Sequence, residues 1–80
     1  METMSLADFM ANKAAVREQV GIKMPLAAEV SGPKYVRVFS VSGSSRSALF
    51  FIDRQTGSVY GAASWKAPKR FAIGGIRIAL

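Results

Sequence analysis

The chain contains no cysteine and no histidine, and its 80 residues carry only five carboxylate side chains. Without cysteine there is no disulfide, no zinc finger and no thiol nucleophile. Without histidine there is no Ser-His-Asp triad and no imidazole metal site. The five acids, Glu2, Asp8, Glu18, Glu29 and Asp53, are scattered, with no paired spacing that suggests acid–base work. Gly57-Ser58-Val59-Tyr60-Gly61 lacks the lysine and the spacing of a phosphate-binding loop. These absences imply a non-catalytic chain that needs no cofactor and no metal. Long apolar runs are missing too. A membrane-spanning helix needs about 18 apolar residues in succession, and Arg77 splits the most apolar stretch, at the C-terminus. Met1 to Asp8 has early acids and no apolar signal core. The expectation is a soluble chain, neither secreted nor transmembrane, with no membrane partner; the lack of cysteine fits a reducing compartment.

What the chain has in abundance is positive charge: 11 Lys and Arg give a formal net charge of +6. That charge is unevenly placed. Residues 1–29 hold Lys13, Arg17 and Lys23 against four acids, a net of −1. Residues 30–80 hold eight cations against Asp53 alone, a net of +7. Seven of the eight aromatic residues lie in this second part, Phe9 being the exception. The basic and aromatic character thus belongs to one structural unit, and a basic unit of this kind points to a polyanionic partner.

Local patterns divide the chain within a single domain. Residues 1–31 are expected to be a helical N-terminal segment, in which Ser5 followed by Asp8 makes a capping-box-like helix start. Leu6, Phe9, Met10, Val16 and Val20 fall near one helical face, interrupted at Lys13, and Gly21 is a natural stop. Ile22 to Val30 is ambiguous, because Pro25 opposes a continuous helix. Residues 34–65 read as a β-meander: Lys34–Val41, a turn over Ser42–Arg46, Ser47–Ile52, a hairpin turn at Asp53–Gly57, then Ser58–Trp65. Pro68 is expected to end regular pairing. Residues 66–80 form a basic, apolar extension in which Phe71–Ile73 and Ile76–Leu80 can supply a fourth strand, bent at Gly74-Gly75. The predicted fold is α+β, one helix on a three- or four-stranded antiparallel sheet, with a small OB-like barrel as the alternative. Val36, Val38, Leu49, Phe51 and Val59 are the expected core, facing Leu6, Phe9 and Met10.

Alternation along the strands locates the candidate binding residues. Tyr35, Arg37 and Phe39 share one face of the first strand, an aromatic–cation–aromatic row. Two readings fit it. The rings stack on bases while Arg37 meets phosphate, or the rings pack at an interface while Arg37 reaches to water. The densest basic element is Ser64–Phe71, where Lys66, Lys69 and Arg70 lie between Trp65 and Phe71. Single-stranded nucleic acid suits such a segment, and core burial of Trp65 is the competing reading. Arg46, Arg54 and Arg77 complete the set of candidate contacts. The alternating second strand is apolar on both faces, as a strand covered on both sides would be.

The run Phe51-Ile52-Asp53-Arg54-Gln55-Thr56-Gly57-Ser58-Val59-Tyr60, continued by Gly61-Ala62-Ala63-Ser64-Trp65-Lys66-Ala67-Pro68, resembles a segment of small phage-encoded proteins. Their pattern reads F-[IV]-D-x-x-T-G-x-[IV]-[YL]-x-A-x-S-W-K-A-P, close to a basic C-terminus. Those proteins continue with an R-G-N-I-like ending, whereas this chain has Phe71-Ala72-Ile73-Gly74-Gly75-Ile76. The resemblance implies a phage origin, with the host-cell cytoplasm or the virion as the place of action. The +7 balance on an aromatic β-unit sets the functional expectation, a self-associating protein, a homodimer or larger, that binds single-stranded DNA or RNA without sequence preference. The resemblance adds to it by association, since phages encode small basic proteins that coat or package nucleic acid. A minor virion component that binds capsid or a host protein is the alternative.

Overall fold

The computed structural model describes residues 2–21 and 25–80. Six strands and one helix follow in the order β1 (Glu2–Ser5), α1 (Leu6–Gln19), β2 (Leu26–Ser31), β3 (Tyr35–Ser42), β4 (Ser45–Asp53), β5 (Ser58–Ala62) and β6 (Pro68–Ala79). They form one curled sheet in the order β1-β6-β5-β4-β3-β2. All neighbours pair antiparallel except β1, which runs parallel to β6 with Glu2 opposite Ile76 and Ser5 opposite Ala79. The α+β architecture is the expected one. The sheet is wider than the meander alone, because the segments on either side of it contribute β1, β2 and β6. Residues 1–31, read as helical, therefore supply two edge strands as well. Part of the ambiguous Ile22–Val30 segment forms β2; Ile22, Lys23 and Met24 lie outside the described residues.

The helix begins as its sequence predicts. Ser5 is extended, and its hydroxyl accepts the Asp8 N–H at 3.1 Å, satisfying one of the free donors of the first turn. Gly21, at φ 84°, follows the last turn. Phe9 is the buried residue of the helix, and Leu6 and Met10 pack partly against the same core. The expected apolar stripe does not continue: Val16 is 52% exposed and Val20 70%. Lys13, at the break in the stripe, lies over Phe9 and Phe50 with its ammonium 5.5 and 5.6 Å from the two ring centres.

The core beneath the helix joins Phe9 to Val36, Val38, Ile52, Val59 and Ile78. Two of the expected core residues sit elsewhere. Phe51 is buried, but it stands opposite Arg37 and so faces away from the helix, while Phe50 and Ile52 face toward it. Leu49 is half-buried and has no partner on β3, since Val38 pairs with Phe50 and Phe39 with Ala48. This β-bulge shifts the alternation of β4 by one residue. A second irregularity, at Gly74-Gly75 with Gly75 at φ 84°, re-phases β6. Ile73 pairs with the core residue Val59, and beyond the two glycines Ile78 reaches the same core. Pro68 opens β6 opposite Ala62 and does not end the pairing; a first strand position tolerates its missing N–H. β5 correspondingly stops at Ala62, which leaves Trp65 in the loop.

Candidate nucleic-acid interface

The sheet face turned away from the helix is lined by aromatic rings around one guanidinium. Tyr35 meets Phe51 and Tyr60 edge-to-face, with ring centres 5.8 and 6.1 Å apart. Phe39 meets Trp65 at 5.4 Å. Such T-shaped pairs align the positive edge of one ring with the negative face of the next. Trp65 arrives from the β5–β6 loop, which folds on itself through hydrogen bonds from the Ala63 N–H to the Ala67 carbonyl (3.0 Å) and from the Ala67 N–H to the Ser64 carbonyl (3.4 Å).

Arg37 lies beneath this loop and is 8% exposed. Its carbon Cζ is 4.2 Å from the Trp65 ring centre and 5.6 Å from that of Phe51. Nε donates to the Trp65 carbonyl at 2.7 Å, Nη1 to Glu29 Oε1 at 2.6 Å and Nη2 to Ser31 Oγ at 2.8 Å. Glu29 pairs directly across from Arg37 on β2, so the register itself delivers the counter-charge. A buried cation is tolerable when it is paired and its donors are used. The expected row is therefore brought together, but in a different role for two of its members. Phe39 is buried, and Arg37 neither faces an open surface nor reaches to water, because Glu29 and the Trp65 carbonyl hold it.

The remaining candidates stay accessible. Arg46 is turned to the aromatic face by the Leu49 bulge, with its carbon Cζ 5.2 Å from the Trp65 ring centre and 5.5 Å from that of Phe39. Its Nη1 is 4.0 Å from Glu29 Oε2, a loose contact beside the tight one to Arg37. Lys66 and Arg70 are exposed on either side of Pro68, and Arg70 lies over Phe71 at 5.5 Å. Lys69 points the other way, over Gly61 on the helix side: a Cβ placed on Gly61 would lie 3.2 Å from Lys69 Cδ. Arg77, opposite Ser58, and Arg54, in the β4–β5 turn, occupy the far end of the sheet. Arg46 thus lies at Trp65, the exposed Lys66 follows Trp65 in the β5–β6 loop, and Arg70 stands near the start of β6 over Phe71, while the other cations are spread about the sheet.

The two acids of this unit are both engaged. Glu29 is held tightly by Arg37 and loosely by Arg46. Asp53 accepts the N–H groups of Gln55 at 2.8 Å and Thr56 at 3.0 Å, which hold its carboxyl below the usual carboxylate range, with Lys34 adding a smaller effect in the same direction. Lys34, Arg46, Arg54, Lys66, Lys69, Arg70 and Arg77 are all exposed. Sequence reasoning missed Glu29 and Ser31 as parts of the site. The alternation of β2 placed opposite β3 would have found them, had the Leu26–Ser31 strand been recognised.

A family profile covers almost the whole of this arrangement, from residue 3 to residue 78. The chain belongs to DUF7717, a family of unknown function. No curated protein and no solved structure matches it. Within this DUF7717 chain, no helix among the described residues is long and apolar enough to cross a membrane.

Proposed function

We propose that this DUF7717 protein binds single-stranded nucleic acid without sequence preference, through cations that border a partly exposed aromatic face. The observation that carries the reading is the exposed Arg46 packed over the half-buried Trp65, with the exposed Lys66 next in the chain and the exposed Arg70 near the start of β6. Phosphates meet the exposed cations, and bases stack on the open parts of Trp65 and Tyr35. Arg37 supports the site from below by fixing the Trp65 loop. Such a protein acts in the host-cell cytoplasm or within a virion, with no catalytic step and no cofactor.

Fluorescence anisotropy with labelled single-stranded and duplex DNA at two salt concentrations tests the reading. Micromolar or tighter binding, weaker at high salt and favouring the single strand, is the expected result, with quenching of Trp65 emission. Replacing Lys66 and Arg70 by alanine should lower the slope of log affinity against log salt by about 1.4, two phosphate contacts at about 0.7 each. Absence of binding at low salt overturns the proposal.

The outer edge of β6 favours a second reading, in which a second copy, a capsid protein or a host protein docks here. β1 covers β6 only from Ile76 onward, and beside the uncovered part Phe71 is 76% exposed. Salt-insensitive association seen by sedimentation, abolished by Phe71→Ser, would favour that reading.

A further inference from the structure

At the opposite end of the sheet from the Trp65 loop, the β2–β3 and β4–β5 turns lie side by side. The Arg54 N–H donates to the Lys34 carbonyl at 2.8 Å and ties them together. Pro33, Lys34, Arg54 and Gln55 line an open cleft there, with a volume of about 510 Å³. Both cations are exposed. The nearest acid, Asp53, spends Oδ1 on the Gln55 and Thr56 N–H groups of its own turn. Counting its charge in full, the cleft still keeps one positive charge in excess. Lys34 Nζ lies 5.4 Å from the ring centre of its neighbour Tyr35.

These groups suit one kind of anion. A terminal phosphate monoester carries a charge of about −1.5 to −2 at neutral pH, whereas an internal phosphodiester carries a single charge. Two exposed cations lining one cleft favour the more highly charged group. The guanidinium fork of Arg54 can bind two phosphate oxygens at once, and Lys34 adds a mobile point charge. The Gln55 amide offers both a donor and an acceptor to whatever the phosphate carries.

We propose that the Lys34–Arg54 cleft is a phosphate-monoester site, which takes the terminal phosphate of a nucleic-acid strand or a free mononucleotide. Where the phosphate belongs to a strand, the proposal rests on the nucleic-acid reading above; for a free mononucleotide it does not.

The full chain, labelled with nitrogen-15, is titrated with deoxyadenosine 5′-monophosphate and, separately, with inorganic phosphate. Amide shifts at Lys34, Arg54 and Gln55, lost in a Lys34→Gln/Arg54→Gln variant, are expected. In parallel, 5′-phosphorylated and 5′-hydroxyl oligothymidylates of equal length are compared by anisotropy. If the strand is the source, the phosphorylated form binds roughly threefold to tenfold tighter. That gain disappears in the Lys34→Gln/Arg54→Gln variant and persists in Lys66→Ala/Arg70→Ala. Amide shifts without a strand gain support the site and assign it to free mononucleotides. Strand binding with neither amide shifts nor a gain overturns the cleft and leaves the nucleic-acid reading standing. Amide shifts with no strand binding at all do the reverse.

Discussion

The two faces of the sheet are closed by different physics. On the helix side, Phe9, Val36, Val38, Ile52, Val59 and Ile78 form an apolar cluster whose cohesion comes from excluding water. On the other side, aromatic rings enclose a guanidinium whose burial depends on Glu29, Ser31 and the Trp65 carbonyl. The first face needs only volume and shape. The second needs a particular charge at a particular register, since an unpaired Arg37 would be costly to enclose. A face of the second kind is suited to carrying a site, because the same contacts that stabilise it also position Trp65 beside Arg46 and Lys66.

Several substitutions test how separate the two faces are. The largest loss is expected from Phe9→Ala, about 3–5 kcal/mol for a buried aromatic truncated to alanine. Urea denaturation would measure it, and the near-native Trp65 emission should persist in the folded fraction. Arg37→Ala is expected to cost about 2–4 kcal/mol, the cost of breaking an enclosed pair moderated by the partial exposure of Glu29. This variant, unlike Phe9→Ala, should red-shift Trp65 emission as the loop comes free. Equal shifts in the two variants would show that the faces are not independent.

Gly57 tests the seam that both faces share. It adopts φ 77°, its carbonyl accepts the Ile78 N–H at 2.8 Å, and an added Cβ would run into the Ile78 backbone and lie 2.8 Å from Arg77 Cγ. Gly57→Ala should therefore cost about 2 kcal/mol or more, combining positive-φ strain with displacement of β6. A denaturant midpoint equal to that of the unsubstituted chain would refute the close approach.

The smallest effect is a pH dependence. The Asp53 carboxyl is held below its ordinary value by the Thr56 and Gln55 N–H groups. A carboxyl whose folded pKa is depressed stabilises the fold above its unfolded pKa of about 3.9. That contribution is lost as pH falls from about 4 through the lower folded value. Asp53→Asn should flatten stability against pH in this acid range and leave the neutral-pH slope unchanged, as thermal melts from pH 2 to 7 would show.

Much of the fold is legible in local chemistry. Ser5 and Asp8 mark the helix start, Asp53–Gly57 marks a hairpin turn, and alternation marks β3. The site is only partly legible. Arg46 and Trp65 stand out by type, but the partner that neutralises Arg37 is eight residues earlier in the chain, on a strand that Pro25 obscures. Val16 and Val20 mislead in the other direction, since a periodic stripe does not reveal where the sheet beneath it ends.

The charge asymmetry, the helix cap, the turn positions and the absence of thiol and imidazole chemistry follow from residue type or from neighbours a few positions away. The face that each side chain takes emerges only when the strands pair. A strand alternates with period two, so one bulge at Leu49 and one glycine pair at 74–75 are enough to exchange inside and outside for everything beyond them. Those shifts bring Arg46 to Trp65 and Ile78 to the core. They are set by the register in which β4 pairs with β3 and β6 with β5; the glycine pair signals a bend, but alternation within one strand does not say where its phase shifts.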